Sequence, residues 1–197
     1  MEKQIKNTQR DIISGANNLS FGVKFIDPPL IIDMLKIVSG MAVGDFGAGT
    51  GYFTFPLARK VGQGGVVYAI DILKEKIETI ESQAKLLRFD NIIVKRANLE
   101  LTNGSKLEAE SLDWVFLVTM LFQNKDKKPV MLEAARVLKK GGKILVIEWN
   151  AGDFSFGPAR ELRVSKEEIF ELAQGADLSV GEEIEISDFH FGLILEK

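Results

Sequence analysis

Apolar and polar positions follow one another along the chain in two rhythms, and the switches between them predict the elements. Behind a polar amino-terminal stretch, Pro28 and Pro29 open a helix whose apolar face is Leu30, Ile31, Met34, Leu35 and Val38, with Gly40 as its stop. MAVGDF is short and apolar and predicts a buried strand, followed by a helix from about Gly51 to Val61 with Pro56 close enough to its start to be tolerated. VGQGG reads as a turn and VVYAID as a second buried strand that ends in a carboxylate. Ile77, Ile80, Ala84 and Leu87 stripe a helix over Lys74–Arg88, and NIIVKRAN gives a third strand. After the loop LTNGSKLEAES come a fourth apolar run, LDWVFLV, a helix over Val130–Leu138, and a fifth strand, KILVIEW. Lys139-Lys140-Gly141-Gly142 reads as the cationic, glycine-terminated end of that helix.

Strands that are apolar along their whole length, alternating with helices, predict a parallel sheet covered on both faces. The tail breaks the rhythm. Ser165 and Glu168 form a capping box for a helix ending near Gly175, and DLSVGEEIEIS and DFHFGLILEK then follow with no helix between them. Together these predict one doubly wound α/β domain: a mostly parallel seven-stranded sheet, helices on both faces, and a C-terminal antiparallel hairpin at one edge.

Composition narrows the function classes. The 197 residues carry 25 basic and 28 acidic side chains, a net charge of −3 without a basic run, so nucleic acid is not an expected partner. With no cysteine, disulfides, thiolate metal sites and thiol nucleophiles are excluded. The opening MEKQIKNTQRDIISGANN has no secretory apolar core, and the longest apolar run, Trp114–Phe122, is well short of the ~18 residues of a membrane span. The expectation is a soluble, cytoplasmic protein that binds no metal.

The stretch VGDFGAGTGYF carries the chemistry. Glycine is used where backbone must take positive φ or come close to another body, and Gly47, Gly49 and Gly51 stand at alternate positions directly after Asp45. In an open parallel sheet the turn after the first strand touches the ligand. A dinucleotide fingerprint wants G-x-G-x-x-G, whereas position 52 here is Tyr52. An NAD-dependent oxidoreductase would share the fold and is a rival reading, which this spacing and the terminal hairpin speak against; a non-catalytic cofactor-binding module is a second rival.

Asp45-Phe46-Gly47-Ala48-Gly49-Thr50-Gly51 resembles the glycine-rich signature of class I S-adenosylmethionine-dependent methyltransferases of the small-molecule type. The likeness continues in register through VGQGGVVYAIDI, SLDWVFLVTMLF and ARVLKKGGKILVIEW, over roughly residues 25–150. The resemblance implies S-adenosyl-L-methionine as cofactor, held at a turn comprising Phe46, Gly47, Ala48, Gly49 and Gly51. Gly47 and Gly49 would lie against its methionine portion and Asp45 near its amino group. Asp71 would accept from both ribose hydroxyls, Ile72 would pack on the adenine face, and Leu99 would add a main-chain contact. Asn98 takes the place of the family's usual adenine-reading aspartate, keeping a carbonyl acceptor. Leu117, Val118 and Thr119 would form the floor beneath the reactive methyl. The implied layout is an amino-terminal lid (1–27, with Phe21 and Phe25), a cofactor-binding core (28–150) and a substrate-side segment (151–197). Methylation of arsenite, which uses cysteine thiols in this superfamily, is out.

The implied reaction is in-line transfer of the sulfonium methyl to a small-molecule acceptor, for which positioning suffices and a base is optional. Quinone-type, amine, carboxylate and hydroxyl acceptors are all compatible. Glu148 and Asp153, at and after the end of the fifth strand, are either substrate-facing carboxylates or solvated loop residues. His190, the single histidine, is either a base or a histidine satisfied within an edge strand. Arg160 and Arg163, in AGDFSFGPARELRVS, either hold an anionic acceptor or are surface charges. Asp27-Pro28-Pro29 echoes the Asn/Asp-Pro-Pro-aromatic signature of amino-methylating enzymes, but its place before the first strand makes it a helix start.

Overall fold

The computed structural model describes residues 23–197. Seven strands form one sheet: β1 (Ala42–Phe46), β2 (Val66–Asp71), β3 (Ile92–Arg96), β4 (Leu112–Val118), β5 (Leu138–Trp149), β6 (Ser179–Ser187) and β7 (His190–Glu196), in the order β3-β2-β1-β4-β5-β7-β6. β3 to β5 are parallel neighbours, while β7 runs antiparallel to both β5 and β6. The reversal of direction between β1→β2→β3 and β1→β4→β5 puts the topological switch point at the carboxyl end of β1, where the glycines are.

Among the described residues, five α-helices cover the sheet: α1 (Pro28–Met34), α2 (Thr54–Val61), α3 (Lys74–Leu87), α4 (Lys128–Val137) and α5 (Lys166–Gln174). Phe46, Val115, Leu117 and Val146 pack against Val130, Met131 and Ala134 of α4 and Ile169 of α5 on one face. Val43, Phe116, Leu145 and Ile147 pack against Ile31 and Ile32 of α1 and Leu57 and Val61 of α2 on the other. The doubly wound architecture with its C-terminal hairpin is as the sequence pattern predicts.

Details of three helices differ from expectation. Asp27 caps α1, its carboxylate accepting from Leu30 N at 3.2 Å, but the helix ends at Met34. Its buried stripe is Pro28, Ile31 and Ile32, continued by Leu35, while Leu30, Met34 and Val38 face solvent. Two helical registers share Ile31 and Leu35, and burial of Pro28 selects the one the apolar count did not. α2 begins at Thr54, three residues later than expected, because the glycine turn occupies the space before it. α4 does not end on the glycines: Leu138 is already extended, and Gly141 N donates to Lys197 O at 2.9 Å. Lys197 thus draws the KKGG segment into β5 across an irregularity where Leu112 pairs Leu138 but Trp114 pairs Lys143. The capping box is half formed: Ser165 Oγ accepts from Glu168 N at 3.1 Å, but the Glu168 carboxylate turns to Lys127, 3.4 Å away.

The long loop between β3 and β4 is anchored by a buried polar clamp. Ser105 N donates to Glu133 Oε1 at 3.0 Å and Ser105 Oγ bonds the same oxygen. Arg136 donates Nε and Nη2 to the two Glu133 oxygens, each at 2.8 Å, and Nη2 also reaches Leu107 O at 2.8 Å. Arg136 and the Ser105 hydroxyl and N–H hold the Glu133 carboxyl below its ordinary range despite burial, which pushes the other way.

Candidate functional site

The turn after β1 is fastened to its neighbour strand by main chain. Gly47 N and Ala48 N both donate to Ile70 O, at 2.8 and 3.0 Å, and Gly49 N donates to Asp71 Oδ2 at 2.9 Å. All three glycines have positive φ, +74°, +55° and +91° for Gly47, Gly49 and Gly51. Their reasons differ. A Cβ on Gly47 would stand 2.9 Å from Met120 Cβ and one on Gly51 would stand 2.6 Å from the Phe55 ring, so both permit close internal packing. A Cβ on Gly49 would meet nothing within 4 Å. Gly49 is therefore the glycine whose bare main chain faces open space.

Asp71 stands at that opening. Its Oδ1 accepts from Leu73 N at 2.9 Å and its Oδ2 from Gly49 N, so both oxygens are oriented and each retains a lone pair. Two fixed acceptor oxygens suit a vicinal diol. Asp45 lies beneath, 3 % exposed, accepting from Thr54 Oγ1 at 2.5 Å. Burial, helped by the nearby charge of Asp71, pushes its carboxyl up to about 6. The ionised form thus costs the fold on the order of 3 kcal/mol above pH 6, and none below the unfolded value near 4. Asp45→Asn is expected to raise unfolding free energy by about 2–3 kcal/mol at pH 7.5, with the gain fading toward pH 4. Urea denaturation at several pH values checks this, and a destabilised variant would contradict it.

Beside Asp71 a cavity of about 460 Å³ is lined by Ile72, Arg96, Asn98, Leu101 and Asn103. Ile72, more than half exposed, and Asn98 thus share one concavity next to the carboxylate. Asn98 Oδ1 accepts from Glu100 N at 2.9 Å. Leu99 and Leu117 are buried in the core, so any contact they make toward the opening is through main chain. A larger groove of about 600 Å³, bordered by Glu81, Arg88, Phe89 and Val94, lies by the amino end of β3 and shares no residue with the glycine turn.

The carboxyl ends of β4 and β5 close the other side. Thr119, following β4, has φ +45°, an unusual conformation for a β-branched residue, held by its N–H on Ile147 O at 2.7 Å. Glu148 is fully buried. Its Oε1 accepts from Leu121 N at 2.9 Å, pinning the loop after β4, while Oε2 has no partner among the described residues. Burial pushes the Glu148 carboxyl up to about 7. The group binds its proton more tightly folded than unfolded, so it subtracts stability as pH rises from about 4.5 to 7. Glu148→Gln is expected to gain about 1–3 kcal/mol at pH 8 and little at pH 5, and equal gains at both pH values would contradict the assignment.

His190 pairs with Trp149 across β5 and β7, its ring centroid 4.1 Å from the indole. Its Nδ1 is 2.9 Å from Ser187 Oγ, and burial pushes the imidazole down to about 4, leaving it neutral near pH 7. Arg160 is exposed and reaches Asp153 at 3.7 Å. Arg163 is spent on main chain, donating to Asn150 O, Gly152 O and Pro158 O at 2.8, 2.5 and 3.1 Å, and so it clamps the loop after β5. The structure also brings in residues that sequence reasoning had not singled out for the site: Trp149, Phe154, Phe156, Phe189 and Tyr52. The aromatic density of DFSF and DFHF was the available signal. Of the expected lid, Phe25 packs on Phe156 and Phe189, at centroid distances of 6.4 and 5.6 Å, whereas Phe21 and the rest of 1–22 lie outside the described residues.

A glycine turn at the switch point, an acidic β2 terminus and an antiparallel β7 between β5 and the edge define a class I methyltransferase fold. The solved structure of a SAM-dependent methyltransferase from Aquifex aeolicus superposes with a TM-score of 0.79 at 25 % identity, over 86 % of this chain and 89 % of that one. The methyltransferase domain family model matches residues 37–183, and the chain belongs to that family. A demethylmenaquinone methyltransferase from Tropheryma whipplei is 34 % identical over 117 residues, 59 % of this chain and 45 % of that protein. An aklanonic acid methyltransferase, DauC, from Streptomyces sp. strain C5 is 33 % identical over 141 residues, 70 % of this chain and 63 % of that protein. The chain thus spans about half to two thirds of the length of these curated relatives.

Proposed function

We propose that this protein transfers the methyl group of S-adenosyl-L-methionine to a small-molecule acceptor, and that the cofactor sits between the glycine turn and Asp71. The observation that carries this reading is the Gly49 main chain, hydrogen-bonded to Asp71 at 2.9 Å with open space where a Cβ would be. The residues present fit the group: a bare main chain for its amino-acid portion, buried Asp45 below for its ammonium, and paired oxygens on Asp71 for its diol. Ile72 and Asn98 would border its base.

When bound, the cofactor would supply a methyl activated by its positive sulfur for in-line transfer to the acceptor's nucleophilic atom, with the electron pair returning to sulfur and the acceptor's proton going to water or a base. The chain's own contribution is to orient the partners and exclude water. Gly49 and Asp71 would fix one end, with Gly47 packed on Met120 behind the turn, Thr119 and the Glu148-pinned loop would stand below the reaction, and Arg160 and His190 would border the acceptor side. The names of the curated relatives support a small molecule as acceptor. Among the described residues no helix is long and apolar enough to cross a membrane.

Asp71→Ala is expected to weaken S-adenosylhomocysteine binding by about 1.5–3 kcal/mol, the range for a hydrogen bond to a charged group. An unchanged dissociation constant in calorimetry would refute the ribose role. A labelled methyl donor tested against phenolic, quinol, amine and carboxylate acceptors reads turnover, and binding without transfer to any class would favour a cofactor-binding module.

A further inference from the structure

Seven side chains on the α1/α2 side of the sheet's carboxyl edge form a shelf that the cofactor reading leaves unused. Trp149 and His190 are its base. Phe156 stands edge-on to both Trp149 (5.9 Å, 69°) and Phe189 (4.7 Å, 73°), and Phe154 meets Phe189 at 90°. Phe25, 63 % exposed, and Phe156, 43 % exposed, show ring surface to solvent. Arg163 fixes the loop carrying Phe154 and Phe156, and its guanidinium lies 5.0 Å from the Phe154 ring and 5.9 Å from Trp149.

The shelf adjoins the cofactor site. β1, β4 and β5 are successive neighbours, so the shelf begins about 10 Å along the edge from the glycine turn. A strap joins the two: Tyr52, just past Gly51, donates its hydroxyl to Ile26 O at 2.6 Å, and Phe25 is the next residue along. Lys24 N continues the strap to Asp188 Oδ2 at 3.0 Å, in the turn that leads to His190.

Its polar groups are of one kind. The Trp149 indole N–H is sealed from solvent and has no acceptor among the described residues. Of the two His190 nitrogens, Nδ1 is occupied by Ser187, whose Oγ also accepts from Phe189 N at 3.2 Å. A Ser187 hydroxyl that receives the Phe189 N–H can give its proton to Nδ1, which puts the imidazole proton on Nε2. A buried donor without an acceptor is uncommon and calls for an explanation such as an absent ligand. A cationic occupant is disfavoured because a guanidinium already lies against two of the rings.

Taking the methyl-transfer reading as given, we infer that this shelf is the acceptor subsite and that it takes a planar aromatic ring bearing a hydroxyl or carbonyl oxygen. The ring stacks among Phe25, Phe156 and Phe189, and its oxygen accepts from the ring N–H groups of Trp149 and His190. Arg163 is a positioning residue, acting through the loop it clamps.

The test uses 2-naphthol, its saturated analogue decahydro-2-naphthol and tetramethylammonium as probes, with the full chain saturated in S-adenosylhomocysteine. Two tryptophans and one histidine make the spectra simple. In ¹⁵N NMR, Trp149→Phe assigns the Trp149 indole signal by its disappearance, and the single imidazole reports its own tautomer. The expected result is an Nε2–H imidazole, with shifts of both ring N–H signals on adding 2-naphthol and binding at least about tenfold tighter than for either other probe. Phe156→Ala, at a half-exposed position, is expected to weaken 2-naphthol about tenfold while leaving S-adenosylhomocysteine affinity within about twofold. Arg163→Ala is expected to do the same, with Arg163→Lys restoring part of the affinity. Equal binding of the saturated analogue, preference for tetramethylammonium, an Nδ1–H tautomer, or 2-naphthol binding indifferent to Trp149→Phe and Phe156→Ala would each overturn the inference. If S-adenosylhomocysteine itself does not bind, the cofactor reading fails, and the probe titration still reads the shelf.

Discussion

Gly49→Val will abolish cofactor binding in a protein that still folds. The substitution places branched carbon where a Cβ meets nothing within 4 Å, so the folded chain has room for it. The backbone pays for a β-branched residue at φ +55°, a cost of about 1–3 kcal/mol. A bound cofactor has no such room, and the expected loss in affinity exceeds about 3 kcal/mol, or more than about 100-fold. Gly51→Ala should behave in the opposite manner. Its Cβ would lie 2.6 Å from the Phe55 ring at φ +91°, so overpacking and backbone strain should cost about 2–4 kcal/mol of stability. Urea denaturation and calorimetry on both variants separate the two roles. If Gly49→Val binds S-adenosylhomocysteine normally, the open space before Gly49 is not the cofactor site.

The second large effect lies away from the chemistry. Arg136→Ala leaves the Glu133 carboxylate, 3 % exposed, without the guanidinium that grips both its oxygens. Removing one partner of a buried pair strands the other, and the expected destabilisation is about 3–5 kcal/mol at neutral pH. The Glu133 carboxyl is held low in the folded protein, so its stabilising contribution is present above the unfolded value near 4.5 and is lost as pH falls below it. The gap between wild type and Arg136→Ala should therefore narrow only on acidification below that value, which denaturation at about pH 7.5 and about pH 3.5 will read. A gap independent of pH would mean that Arg136 acts only through its bond to Leu107 O. Because Ser105 hangs on the same carboxylate, the variant should also loosen the loop that walls the cavity beside Asn98.

Much of this arrangement was legible in the chain because it depends on local periodicity and on one topological rule. Strands apolar throughout can only be the interior of a covered parallel sheet, and parallel neighbours bring their carboxyl ends to one edge. Gly49 and Asp71, 22 residues apart, could therefore be expected side by side, and they share a hydrogen bond. What escaped had its cause elsewhere in the fold. The KKGG segment joins a strand rather than ending a helix because Lys197 accepts from Gly141. The register of α1 is set by which face meets β1 and β4, since two apolar stripes overlap in its sequence. The function of Arg163 was ambiguous because its partners are carbonyl oxygens, which no residue type announces. The aromatic shelf draws on residues 25, 149, 154, 156 and 189, separations too large for any sequence window to join.

Gly47 and Gly51 teach the same point at smaller scale. Three glycines at alternate positions look equivalent in sequence, yet two make room for the protein's own side chains and one leaves room for something else. Neighbours from the loop after β4 and from α2 draw that distinction, through Met120 and Phe55.

The most direct measurement is a calorimetric titration of the wild-type chain with S-adenosylmethionine, S-adenosylhomocysteine and NAD in parallel. The account predicts saturable one-to-one binding of the first two and no heat from the third. Saturable binding of NAD, with silence from both sulfur compounds, would contradict it.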